Sequence, residues 1–364
     1  MKKTPNYPFL LEKAINGERL SPQEGIEILE EADLLALGQA ANLVRLRLHP
    51  QKTVTFTIDR NINYTNVCWC QCHFCAFWRE LSDKDAYVID KEELVQKIKE
   101  TIEAGGTSLL LQGGLHPHLG LDYYLNLLKF IKENFNLHLH SFSPPEIIHL
   151  ARKEGLSIRE VLVALRKAGL DTLPGGGAEI LVDRVREQIS PRKITAGEWL
   201  ETMRQAQAIG MKTTATMMFG HAETLAERVL HLVKVRELQD ETGGFTAFIP
   251  WTYQFPAGRN LRAPAAKMGT GVDYLRTLAL ARLMLDNIPH LQVSWVTQGI
   301  KVAQVALFFG ADDFGSTMLE ENVVRAAGAT VSRVSPAEII HSIQKAEFKP
   351  AQRTATYKII KTLF

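Results

Sequence analysis

The chain of 364 residues is 46% hydrophobic and carries a formal net charge of +2 at pH 7, enough apolar material for one large core or two ordinary ones. Near-neutrality, with no basic run interleaved with aromatics, excludes a nucleic-acid-binding field, and no apolar stretch reaches the roughly 18–20 residues of a membrane span. Met1-Lys-Lys-Thr-Pro-Asn-Tyr-Pro lacks the apolar core of a secretory signal, so a reducing, cytoplasmic setting is expected.

Residues 1–50 read as a helical extension. Ser21-Pro22-Gln23-Glu24 is a capping box with proline at the first helical position, and Leu34, Leu37, Ala41, Val44 and Leu48 give a second helix over about 33–48 one apolar face. From residue 53 the pattern alternates as a half-buried strand does, Thr-Val-Thr-Phe-Thr-Ile, and leads through Asn61-Ile-Asn-Tyr-Thr-Asn into a cysteine cluster. Strands then alternate with helices: strands at 108–112, 138–142, 171–174, 212–218, 245–249, 292–296 and, weakest, 311–314. Between them come helices over 121–134 and 271–287 and near 299–309, with others opened by Asp90/Glu93, Ser157/Glu160, Thr195/Glu198 and Thr224/Glu227. Ser335-Pro336-Ala337-Glu338 opens a last helix. Eight strands alternating with helices over about 260 residues predict an α/β chain folded as a (β/α)8 TIM-type barrel over 51–330, with the N-terminal helices and a C-terminal helical segment, 331–364, packed on it. A doubly wound open sheet is the alternative, because periodicity does not reveal closure.

All four cysteines, Cys68, Cys70, Cys72 and Cys75, fall within Asn66–Arg79. Soft thiolates so crowded belong to a metal or an iron–sulfur cluster. Cys68, Cys72 and Cys75 form C-x3-C-x2-C, which can hold three irons of a 4Fe–4S cube and leave the fourth open to a ligand; a closed zinc site using all four is the alternative. In a barrel, chemistry gathers where strands run out into the following loops. Those ends carry Gln112-Gly113-Gly114-Leu115-His116; His140, Ser141, Ser143 and Glu146; the glycine loop Pro174-Gly175-Gly176-Gly177-Ala178-Glu179; His221 and Glu223; Trp251, Tyr253 and Gln254; Thr297 and Gln298; and Asp312, Asp313 and Ser316. The glycine loop suits a carboxylate or ribose at a helix start, or is a tight turn only. His221 with Glu223 is a ligand pair or a helix-start pair, and of His138 and His140, which share a strand face, one is expected to be structural.

C-x3-C-x2-C after a first strand, with Phe74 in its last spacer, resembles the radical S-adenosylmethionine superfamily. Asp59–Asn66, Gln112–Pro117, His140–Glu146, Pro174–Leu181, Met217–Thr224 and Gln239–Trp251 resemble the branch that holds the futalosine-route menaquinone enzymes and the deazaflavin synthases. The resemblance covers roughly residues 20–350. It implies a 4Fe–4S cluster on Cys68, Cys72 and Cys75, S-adenosylmethionine chelating the open iron, and a 5′-deoxyadenosyl radical that takes a sugar hydrogen from dehypoxanthine futalosine. The resulting carbon radical closes onto the benzoate ring, and an electron and a proton leave. It further implies Gln112, Gly113 and Gly114 near the methionine amine, and Glu179 near ribose or carboxylate with Arg184 or Arg186 as carboxylate partner. Phe74 and Phe77 would border the adenine, and His116, His140 and Glu146 would contact substrate or accept the late proton. An electron donor such as a flavodoxin or ferredoxin is the implied partner. Two departures stand out: the superfamily's Gly-Gly-Glu reads Gly113-Gly114-Leu115, and Trp251-Thr-Tyr-Gln-Phe-Pro-Ala-Gly258 departs from the branch's string. Cys70 is expected not to be a ligand.

Overall fold

The computed structural model describes residues 6–254, 269–328 and 333–363. Its strands are β1 (Thr53–Thr57), β2 (Asp59–Ile62), β3 (Ser108–Leu111), β4 (His138–Ser141), β5 (Thr172–Leu173), β6 (Lys212–Phe219), β7 (Phe245–Thr252), β8 (His290–Leu291), β9 (Asp313–Ser316), β10 (Lys349–Arg353) and β11 (Ile359–Thr362). Strands β2 to β8 form a parallel sheet in chain order. The ring is completed through a parallel bridge between Gln292 and Asp313 and through β9, which pairs with β1; β1 runs into β2 past Ile58. The barrel expected from the strand count is therefore the fold. Along β1 and β2 the alternation separates two faces: Val54, Phe56, Ile58 and Ile62 are buried in the main apolar core, while Thr57, Asp59 and Asn61 face the barrel interior. Each such aliphatic residue contributes about 1.5–3 kcal/mol by leaving water.

Local chemistry sets most helix starts. Capping boxes at Ser21/Glu24, Ser157/Glu160, Thr195/Glu198, Thr224/Glu227 and Ser335/Glu338 are all formed, whereas Asp90 caps Glu93 N–H without the reciprocal bond. The N-terminal helices cover one flank: Leu34–Leu48 packs on Gly271–Met284, and Pro22–Glu31 on Leu225–Thr242.

The structure departs from expectation where tertiary contacts override pattern. The seventh strand is 290–291 rather than 292–296, because Trp295 turns into a short helix and buries its indole, whose Nε1–H donates to Ser316 O at 2.8 Å. The eighth begins at Asp313 rather than Ala311. Unanticipated helices appear among the described residues at Pro144–Glu154, Asp183–Ile189 and Val323–Ala326. Among its described residues the C-terminal segment is helical over Pro336–Lys345 alone. After it β10 runs parallel to β1, Thr53 opposite Lys349 and Phe56 opposite Gln352, and β11 folds back antiparallel on β10. A free edge along β1 recruits Lys-Pro-Ala-Gln-Arg, whose composition does not read as a strand. The boundary expected at 330/331 and residues 255–258 of the departing string lie outside the described residues. No helix among the described residues is long and apolar enough to cross a membrane.

Candidate active site

A cavity of about 430 Å³ runs from the cysteines at the C-terminal ends of the strands down to Arg353 and Tyr357 of the β10–β11 hairpin. The cysteine loop forms its roof and is fastened at several points. Arg79 N–H donates to Asn66 O at 2.8 Å and Cys68 N–H to Arg79 O at 3.1 Å, while the Arg79 guanidinium gathers the carbonyls of Ala76, Phe77 and Trp78. Trp69 N–H donates to Leu115 O, and His73 N–H to Ile189 O. All four cysteines are free and line the cavity. Burial pushes Cys68 up and Cys75 up to about 12, so both stay thiols until a soft cation replaces the proton. The neighbouring Cys70 thiol holds Cys72 down at about 7.

Beneath the roof lies the Gly113-Gly114 turn. A Cβ on Gly114 would stand 2.2 Å from Val67 O, and one on Gly113 would stand 2.5 Å from the Tyr64 ring; only glycine lets these backbones approach. Gly114 N–H donates to Thr65 O at 2.9 Å and Gly113 N–H to Glu146 Oε1 at 3.2 Å. Glu146, in the first turn of the Pro144–Glu154 helix, also accepts from Tyr64 OH at 2.5 Å and from the Ser143 hydroxyl. Burial pushes it up to about 7 against the pull of these donors. Its carboxylate thus braces the glycine turn while the residue lines the cavity.

His116 does not reach the cavity. Its Nδ1 accepts from the N–H groups of His118 and Leu119, and its carbonyl accepts from His149 Nε2, whose Nδ1 accepts from Trp69 Nε1. The ring organises a turn instead, which corrects the expected substrate contact. His140 does line the cavity, with Nδ1 at 2.8 Å from Thr172 Oγ1; burial holds it down at about 3, neutral at any working pH. His138 shares Thr172 but lies beside Asp171, outside the lining. Gln112, Phe74 and Phe77 line the cavity, and Gln112 Nε2 is engaged with Phe142 O at 3.1 Å.

The glycine loop after β5 presents Glu179, which is buried, with a positive φ of 41°. Lys193 Nζ meets its Oε1 at 2.8 Å, Arg186 Nη1 stands 3.5 Å from Oε2, and Oε2 has no hydrogen-bond partner. Of the two arginines expected here, Arg186 is buried and donates to Gly177 O, Ala178 O and Ile194 O. Arg184 is a surface residue paired with Glu227, which corrects its assignment to the cofactor site. His221 and Glu223 form a helix-start arrangement with Arg228, outside the cavity lining.

Sequence reading missed Lys193, which is half-buried beside Glu179 and stands 5.3 Å over the Phe74 ring. A lone lysine in Ser-Pro-Arg-Lys-Ile carries no signal; the fold alone brings it in. It also missed Arg353 and Tyr357, which enter on the unforeseen hairpin.

Comparison with known proteins agrees with this geometry. Residues 62–234 match the radical SAM superfamily and residues 242–363 the CofH/MqnC C-terminal region. The chain is 48% identical to the cyclic dehypoxanthine futalosine synthase of Halalkalibacterium halodurans over 97% of this chain and 95% of that one. It is 42% identical to the aminodeoxyfutalosine synthase of Thermus thermophilus, over 99% of this chain and 97% of that one. Among solved structures it overlays on the FeFe-hydrogenase maturase HydG from Carboxydothermus hydrogenoformans with a TM-score of 0.77 at 18% identity, covering 97% of this chain and 80% of that chain, a likeness of fold.

Proposed function

This chain belongs to the radical SAM superfamily, in its CofH/MqnC group, and on that premise we propose that it closes dehypoxanthine futalosine into its cyclic form on the way to menaquinone. The family's cofactors are a 4Fe–4S cluster and S-adenosylmethionine. The donor set fits them: four free thiols at the cavity roof are soft ligands of the kind iron–sulfur clusters take. Glu179, whose Oε2 accepts no hydrogen bond among the described residues, and the Lys193 ammonium are opposite charges beside that roof, as an amino-acid zwitterion requires. In this reading Cys68, Cys72 and Cys75 hold the cluster. Glu179 takes the methionine amine or ribose, Lys193 the carboxylate, Gly113 and Gly114 offer backbone, and Phe74 and Phe77 flank the adenine.

When bound, these cofactors supply a 5′-deoxyadenosyl radical able to take hydrogen from an unactivated carbon, chemistry that side-chain acids and bases do not reach. The chain's own part is placement and dryness. Arg79 and Trp69 fix the cysteine loop, Glu146 fixes the glycine turn below it, and the barrel wall keeps water from the substrate radical.

The observation that carries this reading is similarity over nearly the whole length of both chains to a protein named for the product, joined to a cavity that begins at the cysteines. The test is anaerobic incubation of the reconstituted protein with S-adenosylmethionine, a reductant and dehypoxanthine futalosine. The expected result is a product lighter by a pair of hydrogens, with 5′-deoxyadenosine formed in equal amount. An adenosyl group built into the product would instead support the reaction for which the Thermus relative is named. A brown, oxygen-sensitive protein is expected, where a zinc module would be colourless. The reductant is taken to be a flavodoxin or ferredoxin of the cytoplasm.

A further inference from the structure

Thr57, Asp59 and Asn61 follow one another on the inward face of β1 and β2, and all line the cavity below the cysteine roof. Alternate strand residues stand roughly 6.5–7 Å apart on one face. Each carries a polar atom without a protein partner. Thr57 Oγ1 and Asn61 Oδ1 are buried and unpaired. Asp59 accepts from the Ser316 hydroxyl through one oxygen, and no donor among the described residues reaches the other. Thr57 is 4% exposed and Asn61 6%. Native interiors seldom leave such groups unpaired, and a run of them across two consecutive strands calls for a ligand that satisfies them. His140 adds to the wall, with Nδ1 engaged by Thr172 and Nε2 without a protein partner among the described residues.

Charge then decides which part of a substrate fits. The cation of this floor, Arg353, is already bidentate on Asp313, through Nε to Oδ2 and Nη2 to Oδ1. It is not free for an aromatic carboxylate. What remains is a carboxylate oxygen, an amide oxygen and a hydroxyl, and acceptors of that kind take hydroxyl donors. Burial pushes Asp59 up to about 6, so it is mostly ionised at neutral pH and available as an acceptor.

We propose that Thr57, Asp59 and Asn61 form the sugar-hydroxyl subsite of the substrate cavity and decide specificity for a polyhydroxylated substrate, with its aromatic carboxylate directed away from the barrel floor. This inference rests on the functional reading above and adds the orientation of the substrate within the cavity. Asp59→Asn retains the volume and removes the charge. Asn61→Ala removes an amide and serves as a second, independent variant where the first fails to fold.

The experiment measures anaerobic equilibrium binding of dehypoxanthine futalosine, and of a set of its single-deoxy sugar analogues, to the reconstituted holoenzyme and both variants, with iron and sulfide content as the control. A charge-assisted hydrogen bond accounts for about a 10- to 100-fold loss of affinity in Asp59→Asn. The wild-type preference for the parent compound over at least one deoxy analogue should collapse in the variants while iron content holds. Wild-type affinity in the variants, or equal losses for parent and every analogue, overturns the subsite. If the wild-type holoenzyme binds no dehypoxanthine futalosine, the functional reading falls and this inference with it; wild-type binding with indifferent variants overturns this inference alone.

Discussion

Replacing Gly114 with alanine tests how the glycine turn supports the cysteine loop. The added Cβ would lie 2.2 Å from Val67 O, 2.7 Å from its carbonyl carbon and 2.9 Å from Cys68 Cβ, so a backbone must retreat by about 1.2 Å to reach an ordinary 3.4 Å contact. The atoms in the way are main chain, which cannot rotate aside as a long side chain could. Overpacking of this kind costs about 1–3 kcal/mol, and the Gly114 N–H bond to Thr65 O adds about 1 kcal/mol if it breaks. Gly114→Ala should therefore lose about 2–4 kcal/mol in denaturant unfolding of the metal-free protein. It should also bind markedly less iron and sulfide on reconstitution, because the displaced residue carries Cys68. Gly197→Ala is the comparison: its Cβ meets only Thr195 Oγ1 at 3.9 Å, within a helix, and should stabilise by about 0.4–1 kcal/mol. A Gly114→Ala protein with wild-type iron content and stability within about 0.5 kcal/mol would refute the reasoning.

Other outcomes follow from the same geometry. Arg186→Met should cost about 3–5 kcal/mol by leaving Glu179, two buried carbonyls and one part-buried carbonyl short of a donor. Arg184→Met, on the surface, should cost no more than about 1 kcal/mol; denaturant titration of both checks the contrast. Burial holds Glu146 at about 7 against an ordinary 4.5. As pH rises the unfolded chain gives up that proton first, so stability falls between about pH 4.5 and 7, by up to about 3 kcal/mol. Glu146→Gln should flatten that fall, and unfolding free energies at about pH 5 and about pH 8 that change in parallel with wild type would contradict it. Cys70→Ala should keep the full iron and sulfide of the wild type in chemical assay; loss of the cluster would make Cys70 a ligand.

Much of the fold was legible because its signals are local. Ser157 with Glu160, or Thr224 with Glu227, fix a helix start within four residues, and the apolar alternation of Val54, Phe56 and Ile58 needs no partner to be read. The Pro144–Glu154 helix was missed although proline at its first positions and left-handed Gly155 at its end mark it. β10 could not be read, because its partner lies at the other end of the chain. The site divides in the same way. Cysteine spacing and paired glycines declare themselves, and Gln112, Phe74, Phe77, His140 and Glu179 do line the cavity. A titratable residue type at a strand end says nothing of where its ring or carboxylate is engaged: His116 organises a turn and Glu146 braces a backbone amide. Lys193 shows the converse, a residue made important by its ion pair with Glu179.

The hairpin under the barrel has a consequence for how the molecule comes into being. Thr53 waits opposite Lys349, so a ribosome must translate nearly 300 further residues before β1 finds its outer neighbour. Until then the nascent barrel is a tube open at its base, with Asp313 lacking Arg353 and His290 lacking the Tyr357 ring stacked at 3.9 Å. Non-local pairings of this kind form slowly, so closure of the cavity floor by Arg353 and Tyr357 is expected late in folding.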